Sequence, residues 1–290
     1  MPGHTADQPS RDPRPPSVPA IVMYHSVSPY EQDPYLITVS PQRFDQQMHW
    51  LRRRGLRGVS VSELLAARER GRARRLVGLT FDDGYADFLE YALPVLAAHR
   101  FTATVFVLAG RLGGENSWDA EGPRKPLMTA RQVRRAADAG MEIGSHGLRH
   151  ISLPTADRAT LTAETENSRA VLQAASGQQV TGFCYPYGHL DGRVVGAVAA
   201  AGYSHGCAIW RSAYTGQFAL PRIYVGDYDS SWRLWAKAAR HWLAWEYRGP
   251  GARRLAGAAK RHGHVPGSPP GPATSTALAA SASTAFRHSA

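Results

Sequence analysis

Leu76-Val77-Gly78-Leu79-Thr80-Phe81-Asp82-Asp83-Gly84 is an apolar run that ends in two carboxylates and a glycine. The run reads as a buried strand, and the acidic pair sits at its C-terminal end. Side chains alternate across a strand, so Asp82 and Asp83 leave it in different directions and can do different jobs at one site. One can ligate a cation while the other takes a proton from bound water. Asp-Asp-Gly is also good turn chemistry, and the pair read alone fits a turn as well as a site.

The pattern on either side repeats this strand-then-helix order. Upstream, Ala20-Ile21-Val22-Met23-Tyr24 is a second short apolar run. Ser40-Pro41 then opens a helical pattern with Phe44, Met48 and Leu51 at helix spacing, Ser40 placed to cap and Pro41 suited to the first turn. A small helix follows Ser60. Downstream, a helix runs through Tyr91, Leu93, Val95 and Leu96, and Thr102 to Val107 is a strand. A helix over Thr129 to Ala139 stops at Gly140, where a left-handed C-cap fits. Met141 to His146 is a strand, Ala156 to Ser176 a helix, Gln179 to Tyr185 a strand, and a last helix follows Asp191. This alternation predicts an α/β chain: a parallel sheet or barrel with helices outside. No internal repeat is visible.

Composition narrows the class. The chain has 290 residues, 43% hydrophobic and 20% charged, enough apolar material for a substantial core. The formal net charge of +11 accords with an arginine-rich soluble chain; attraction to anionic glycans, membranes or nucleic acid is the sharper alternative. No nucleic-acid motif accompanies the charge. The two cysteines, Cys184 and Cys207, define no disulfide framework and are expected as buried free thiols. The first residues lack the apolar stretch of a secretory leader, and no run is long enough to span a bilayer, so the expected compartment is the cytoplasm. Pro, Asp and Arg dominate residues 1–18, a disordered arm. Residues 19–248 form the folded domain. Gly, Pro, Ala, Ser and Thr dominate 249–290, a flexible basic tail. Its His262 and His264 have no carboxylate partner. Oligomeric state is not readable.

Three segments lie at C-terminal strand ends, the edge where barrels and open α/β sheets place their sites. They are Thr80 to Gly84, Ser145 to His150, and Phe183 to Gly188. His146 and His150 are four apart, a spacing at which one helical turn puts both rings on one face. With the aspartates they make a His-His-carboxylate set, the minimal catalytic metal site with a position left for water.

Taken together, these segments resemble the motifs of the polysaccharide deacetylase family, the NodB-type carbohydrate esterases. Thr80-Phe81-Asp82-Asp83-Gly84 is similar to the first motif, Ser145-His146 through His150 to the second, and Phe183 to Gly188 to the third. Val22-Met23-Tyr24-His25-Ser26-Val27 resembles the branch acting on poly-N-acetylglucosamine. The resemblance covers about Ala20 to Val225 and three ordered motifs. It implies a distorted (β/α) barrel with seven strands. Asp83, His146 and His150 would hold zinc or another divalent cation. Asp82 would be the base that activates the metal-bound water for attack on the acetamide of an N-acetylated sugar or glycan. The backbone N–H of Tyr187 would help stabilise the oxyanion, and Pro186 and Tyr187 would line the groove.

Two departures from the family pattern stand out. Where relatives often carry an arginine that orients the base, this chain has Cys184; Arg222 is the candidate replacement, with a surface arginine as the equal alternative. Cys184 itself could be a ligand, though a core position is the commoner case. A late histidine motif that supplies a general acid is absent. His25, at the end of the first strand, is the candidate acid, while His205 reads as a satisfied core or loop histidine. Two other functions stay open on the same fold: a non-catalytic glycan-binding module, and an amidase acting on a non-sugar substrate. Finally, Trp232, Trp235, Ala239, Trp242 and Leu243 share one helical face opposite Lys237 and Arg240. That stripe predicts tryptophans packed on the barrel, with peripheral membrane contact through Trp232, Trp235 and Trp242 as the alternative.

Overall fold

The structure, a computed structural model, describes residues 20–246. The expected arm over 1–18 and tail over 249–290 lie outside the described residues. The first apolar run is β1 (Ile21–Tyr24), followed by a parallel two-stranded ribbon of β2 (Ser26–Val27) and β3 (Thr38–Val39). Helix α1 (Pro41–Arg53) starts as read: the Ser40 hydroxyl accepts from Arg43 N–H, Pro41 fills the first turn, and Phe44, Met48 and Leu51 are buried. Next come β4 (Arg57–Val59), then α2 (Val61–Glu69), whose Glu63 N–H donates to the Ser60 cap. The acid-tipped run is β5 (Leu76–Phe81). A π-helical turn, Phe88–Ala92, then leads into α3 (Leu93–His99).

The second half continues with β6 (Thr104–Val107), α4 (Ala130–Asp138) and β7 (Glu142–Ser145). Thr129 and Gln132 cap α4 reciprocally, and Gly140 takes φ +85° just beyond its end. The long helix read over Ala156 to Ser176 is α5 (Arg158–Thr162) and α6 (Ser168–Ser176), joined by a π-helical turn at Ala163–Asn167. Then follow β8 (Gly182–Cys184), α7 (Gly192–Ala200), β9 (His205–Cys207), β10 (Ile223–Tyr224) and α8 (Ser231–Glu246).

Among the described residues the strands all pair in parallel, in the order β10-β1-β5-β6-β7-β8-β9, with β4 joining β5. Leu220 pairs with Cys207, and Arg222 N–H donates to the Ile209 carbonyl at 3.3 Å. The segment entering β10 therefore also bonds the β9 edge and curls the sheet back on itself. The architecture is the distorted (β/α)7 barrel. One apolar cluster, including Ile21, Phe106, Cys184, Cys207 and Leu220, is fully or almost fully buried, and the larger cluster joins sheet to helices through residues such as Phe81, Leu96, Val133 and Phe183. Each such large side chain contributes about 1.5–3 kcal/mol by leaving water.

The differences from the sequence reading have local causes. Arg57–Val59 has no apolar run to announce it; β5 supplies its register. Both free cysteines are buried, as read. Of the two α8 tryptophans whose side chains are described, Trp232 is 68% exposed and off the barrel, while Trp235, 54% exposed, lines an apolar cavity with Ala20, Val22 and Trp50; Leu234 points inward at 8% exposure. Lys237, expected outside, turns in, donating to the Tyr224 carbonyl at 3.0 Å and pairing with Asp229 at 2.5 Å. The helix is docked by this polar anchor together with Leu234, which leaves Trp232 outward. The side chain of Trp242 lies outside the described residues. No helix among the described residues is long and apolar enough to cross a membrane.

Candidate active site

Strand ends bring the expected residues together. Asp82 and Asp83 leave β5, His146 leaves β7, and Pro186 and Tyr187 leave β8. Their backbone is strained. Five described non-glycine residues have positive φ, and three of them, Asp83 (70°), His150 (62°) and Tyr187 (58°), are here. Such conformations persist only where surrounding contacts over-determine them, and they concentrate at functional sites.

The predicted helical turn over His146 to His150 is not formed. Gly147 takes φ +81° and His150 φ +62°, so the rings converge through an irregular loop. A fully buried carboxylate from the π-helical turn, Glu164, braces that loop. It accepts from Leu148 N–H at 2.6 Å, Arg149 N–H at 3.3 Å and Arg149 Nε at 2.8 Å. The ring centroids of His146 and His150 come within 5.2 Å.

Asp83, His146 and His150 form a buried set whose ligand atoms could hold a metal ion. Asp83 Oδ1 lies 3.2 Å from His146 Nε2 and 3.4 Å from His150 Nε2. His146 Nδ1 is 2.8 Å from the Cys184 carbonyl, which can only accept, so Nδ1 carries the proton. In neutral His146, Nε2 is then a bare lone pair facing a carboxylate oxygen that itself has no hydrogen-bond partner. Two buried acceptors set face to face repel each other unless a proton or a metal cation lies between them. The donor set therefore fits a divalent metal, and the Nδ1 bond fixes the ligating tautomer. The electrostatics agree. Burial opposes ionisation of Asp83, but the two histidines hold its carboxyl below the usual range. Burial pushes His150 down to about 4, against the pull of Asp83, leaving it neutral at neutral pH.

Asp82 points elsewhere, as strand alternation requires. Arg222 grips it with both ends of its guanidinium: Nη1 to Oδ1 at 2.7 Å and Nη2 to Oδ2 at 2.8 Å. Further bonds to Thr80 Oγ1 and the Ala208 carbonyl fix the fork, and the side chain is fully buried. Burial would raise the Asp82 carboxyl, but the charge and hydrogen bonds of Arg222 outweigh it and keep the group ionised. Of the two readings left open for Arg222, the surface one is excluded. Cys184 completes the cluster. Its sulfur accepts from Arg222 Nη2 at 3.1 Å and lies 3.5 Å from Asp82 Oδ2, and burial raises its pKa so that it stays a thiol and can donate there. Asp82, His146 and Cys184 form a second set of suitable ligand atoms, but the bonded thiol and the engaged carboxylate suit it less to a cation.

His25 Nε2 stands 3.9 Å from Asp82 Oδ2. His205 is buried at the start of β9, at the opposite strand end, with no partner for Nε2. It is a core histidine, though not a fully satisfied one. Sequence reasoning missed three residues: Glu164, Trp118 and Asp119. Trp118 stacks on His150 (centroids 4.6 Å, 20°), and Tyr187 meets the same ring edge-on at 4.3 Å. Asp119 lies close enough to Asp83 that, after burial, its charge is the next influence raising the Asp119 carboxyl. A tryptophan in the Gly-rich stretch after β6 was the available signal, since such loops at strand C-termini carry sites.

The parallel (β/α)7-type fold is the one solved for polysaccharide deacetylases. The family model described as polysaccharide deacetylase matches residues 69–206 of this chain. It is similar to YxkH of Bacillus subtilis, named as a polysaccharide deacetylase, at 28% identity over 71% of this chain and 70% of that protein. It is similar to the poly-beta-1,6-N-acetyl-D-glucosamine N-deacetylase of Staphylococcus aureus at 24% identity, covering 66% and 68%. Among solved structures it resembles Streptococcus pyogenes deacetylase PplD in complex with acetate (TM-score 0.66, 25% identity, 77% of this chain and 99% of that one). IcaB from Ammonifex degensii shares the fold (TM-score 0.63, 24% identity, 77% and 97%). The family match supports hydrolytic deacetylation of an N-acetylated glycan.

Proposed function

We propose that this chain is a metal-dependent deacetylase that removes N-acetyl groups from an N-acetylhexosamine-containing glycan, with 19–248 as its catalytic domain. The observation that carries the reading is the convergence of Asp83, His146 and His150 beside an arginine-clamped Asp82. Asp83, His146 and His150 would hold the cation, and two imidazoles with one carboxylate suit zinc. When bound, the metal supplies a Lewis acid that polarises the acetamide carbonyl and makes water more acidic.

The protein's own groups do the rest. Asp82, kept ionised by Arg222, is the base that takes the proton of the attacking water. Both its oxygens are held, so the carboxylate is aimed before substrate arrives. The Tyr187 backbone N–H is assigned to the developing oxyanion. His25, within 3.9 Å of the Asp82 carboxylate, is assigned to protonate the departing amine. Trp118 and Tyr187 form the rim against which a sugar ring packs; Pro186, expected to line the groove, is buried. The staphylococcal relative is named for poly-beta-1,6-N-acetyl-D-glucosamine, which makes β-1,6-linked N-acetylglucosamine the first substrate to test.

The test is acetate release from oligomers of that glycan and of chitin, with zinc content measured on the same protein. Asp82→Asn should lose at least about a hundredfold in kcat, the range removed with a general base, while keeping its metal. Asp83→Ala and His150→Ala should lose the metal itself. Purified protein that binds no divalent metal, or an Asp82→Asn variant of undiminished rate, sinks the proposal.

A further inference from the structure

Resting on the glycan reading above, we propose that a trough between β10 and α8 binds the acidic groups of an anionic N-acetylated glycan. Two adjoining cavities of about 420 and 460 Å3 share Tyr224, Lys237 and Arg240 in their walls. Tyr228, Trp232 and Arg233 also line the first, and Trp210 and Arg211 the second. Arg222 lines the second as well, so the trough adjoins the residue that supports Asp82.

Two features of the wall point to a ligand. First, Trp210, Tyr228 and Trp232 are 67%, 65% and 68% exposed. Large rings left this open and grouped in one place mark an interaction surface rather than core. Flat aromatic faces suit the C–H faces of sugar rings. Second, the wall is cationic. Arg233 lies over the Trp232 ring at 5.6 Å and Lys237 over Tyr224 at 5.0 Å, so charge and ring occur together. The one carboxylate in either wall, Asp229, already accepts from Lys237 and from Gly226 N–H. The arginine forks are matched to carboxylate, sulfate or phosphate groups.

The chain's own continuation is a poor occupant. Residues 248–290 hold six Arg or Lys and no Asp or Glu, the same sign as the wall. A bilayer is also a poorer match, because a concave trough cannot lay its rings flat in an interface, whereas a single glycan chain can enter it.

The experiment measures binding rather than turnover, so it stands apart from the deacetylase reading. Calorimetry on the full chain would compare a hyaluronan hexasaccharide, which alternates N-acetylglucosamine with a carboxylated sugar, against neutral chitohexaose. The acidic oligomer should bind about tenfold more tightly, equivalent to two weak charge-assisted contacts. Arg233→Glu with Arg240→Glu should erase that preference, and Trp232→Ala should weaken binding of both oligomers about fivefold. Arg70→Glu with Arg72→Glu, an equal charge change at the end of α2 and outside both cavities, should leave the preference intact. Thermal melting of each variant checks that it folds. Equal affinity for the two oligomers, equal loss in the α2 control, or tighter binding to phosphatidylglycerol vesicles that the same trough variants abolish, would overturn the inference. Failure here with acetate release intact leaves the deacetylase reading standing; the acidic preference without acetate release does the reverse.

Discussion

At the residue scale, the tightest interaction in the site is the bidentate Arg222–Asp82 pair, buried on both sides. Breaking one side of such a pair costs about 3–5 kcal/mol, because the other charge is left buried alone. In Arg222→Gln, burial prevails over Asp82, whose carboxyl must then titrate higher than in the native protein. The acid limb of kcat/KM against pH should therefore move upward, and melting temperature should fall. An unmoved acid limb would remove Asp82 from the role of base. Cys184→Ala deletes a sulfur that touches both partners but leaves the fork in place. It should cost less than Arg222→Gln in both rate and melting temperature, since a weak S–H bond is lost rather than a charge pair.

At the element scale, the question is what holds an irregular histidine loop in position. The π-helical turn between α5 and α6 offers an answer: it turns Glu164 inward, under the loop, to receive two backbone N–H groups and the Arg149 side chain. A methyl group on Gly147 would stand 2.8 Å from that carboxylate, and the φ of +81° already disfavours any other residue there. Glu164→Ala should therefore lower zinc affinity about tenfold, as loss of a group that orients metal ligands does, even though Glu164 touches no ligating atom. A competition titration with a chelating dye measures it; unchanged affinity would show that the loop holds its shape without the brace. Metal affinity should also fall as pH falls, because His146, raised by Asp83 despite its burial, must release a proton to ligate.

At the scale of the whole molecule, pH acts on stability with two opposite signs. Asp82 and Asp83 are held below the ordinary carboxylate value, so their stabilising contribution is present above about 4 and is lost as the medium becomes more acid. Asp87 behaves in reverse. It is half-buried between β2 and the π-helical turn at Phe88–Ala92, accepting from Ser26 Oγ at 2.5 Å and from Val27 N–H, and desolvation raises it to about 6. Its contribution is complete below the ordinary value near 4 and is lost as pH rises through about 6. Asp87→Asn should remove the Asp87 share of the pH dependence, the loss between about 4 and about 6, and spare the acid side. Melting curves across pH would show this, and an identical profile for the variant would contradict it. The cluster has a wider consequence as well. Lys125 Nζ donates to Ser26, Ser28 and Thr38, tying the loop that carries Trp118 to the β2–β3 ribbon.

What the sequence by itself determined was local. The buried strands were readable as apolar runs, helix starts as Ser40, Ser60 and Thr129 caps, and Asp82, Asp83, His146 and His150 as groups at strand ends, because each depends on neighbours in the chain. Tertiary structure alone decided which distant groups meet. Arg222 reaches Asp82 across 140 positions, and the Cys184 carbonyl sets the His146 tautomer across 38. Glu164 faces the histidine loop only because a π-helical turn rotates it, and Lys237 turns inward on α8 while Trp232 stays exposed. Periodicity records that a position is buried. It carries no record of the register and tilt by which a curled parallel sheet brings one strand end against another, and in this protein those contacts ionise the base and orient the ligands.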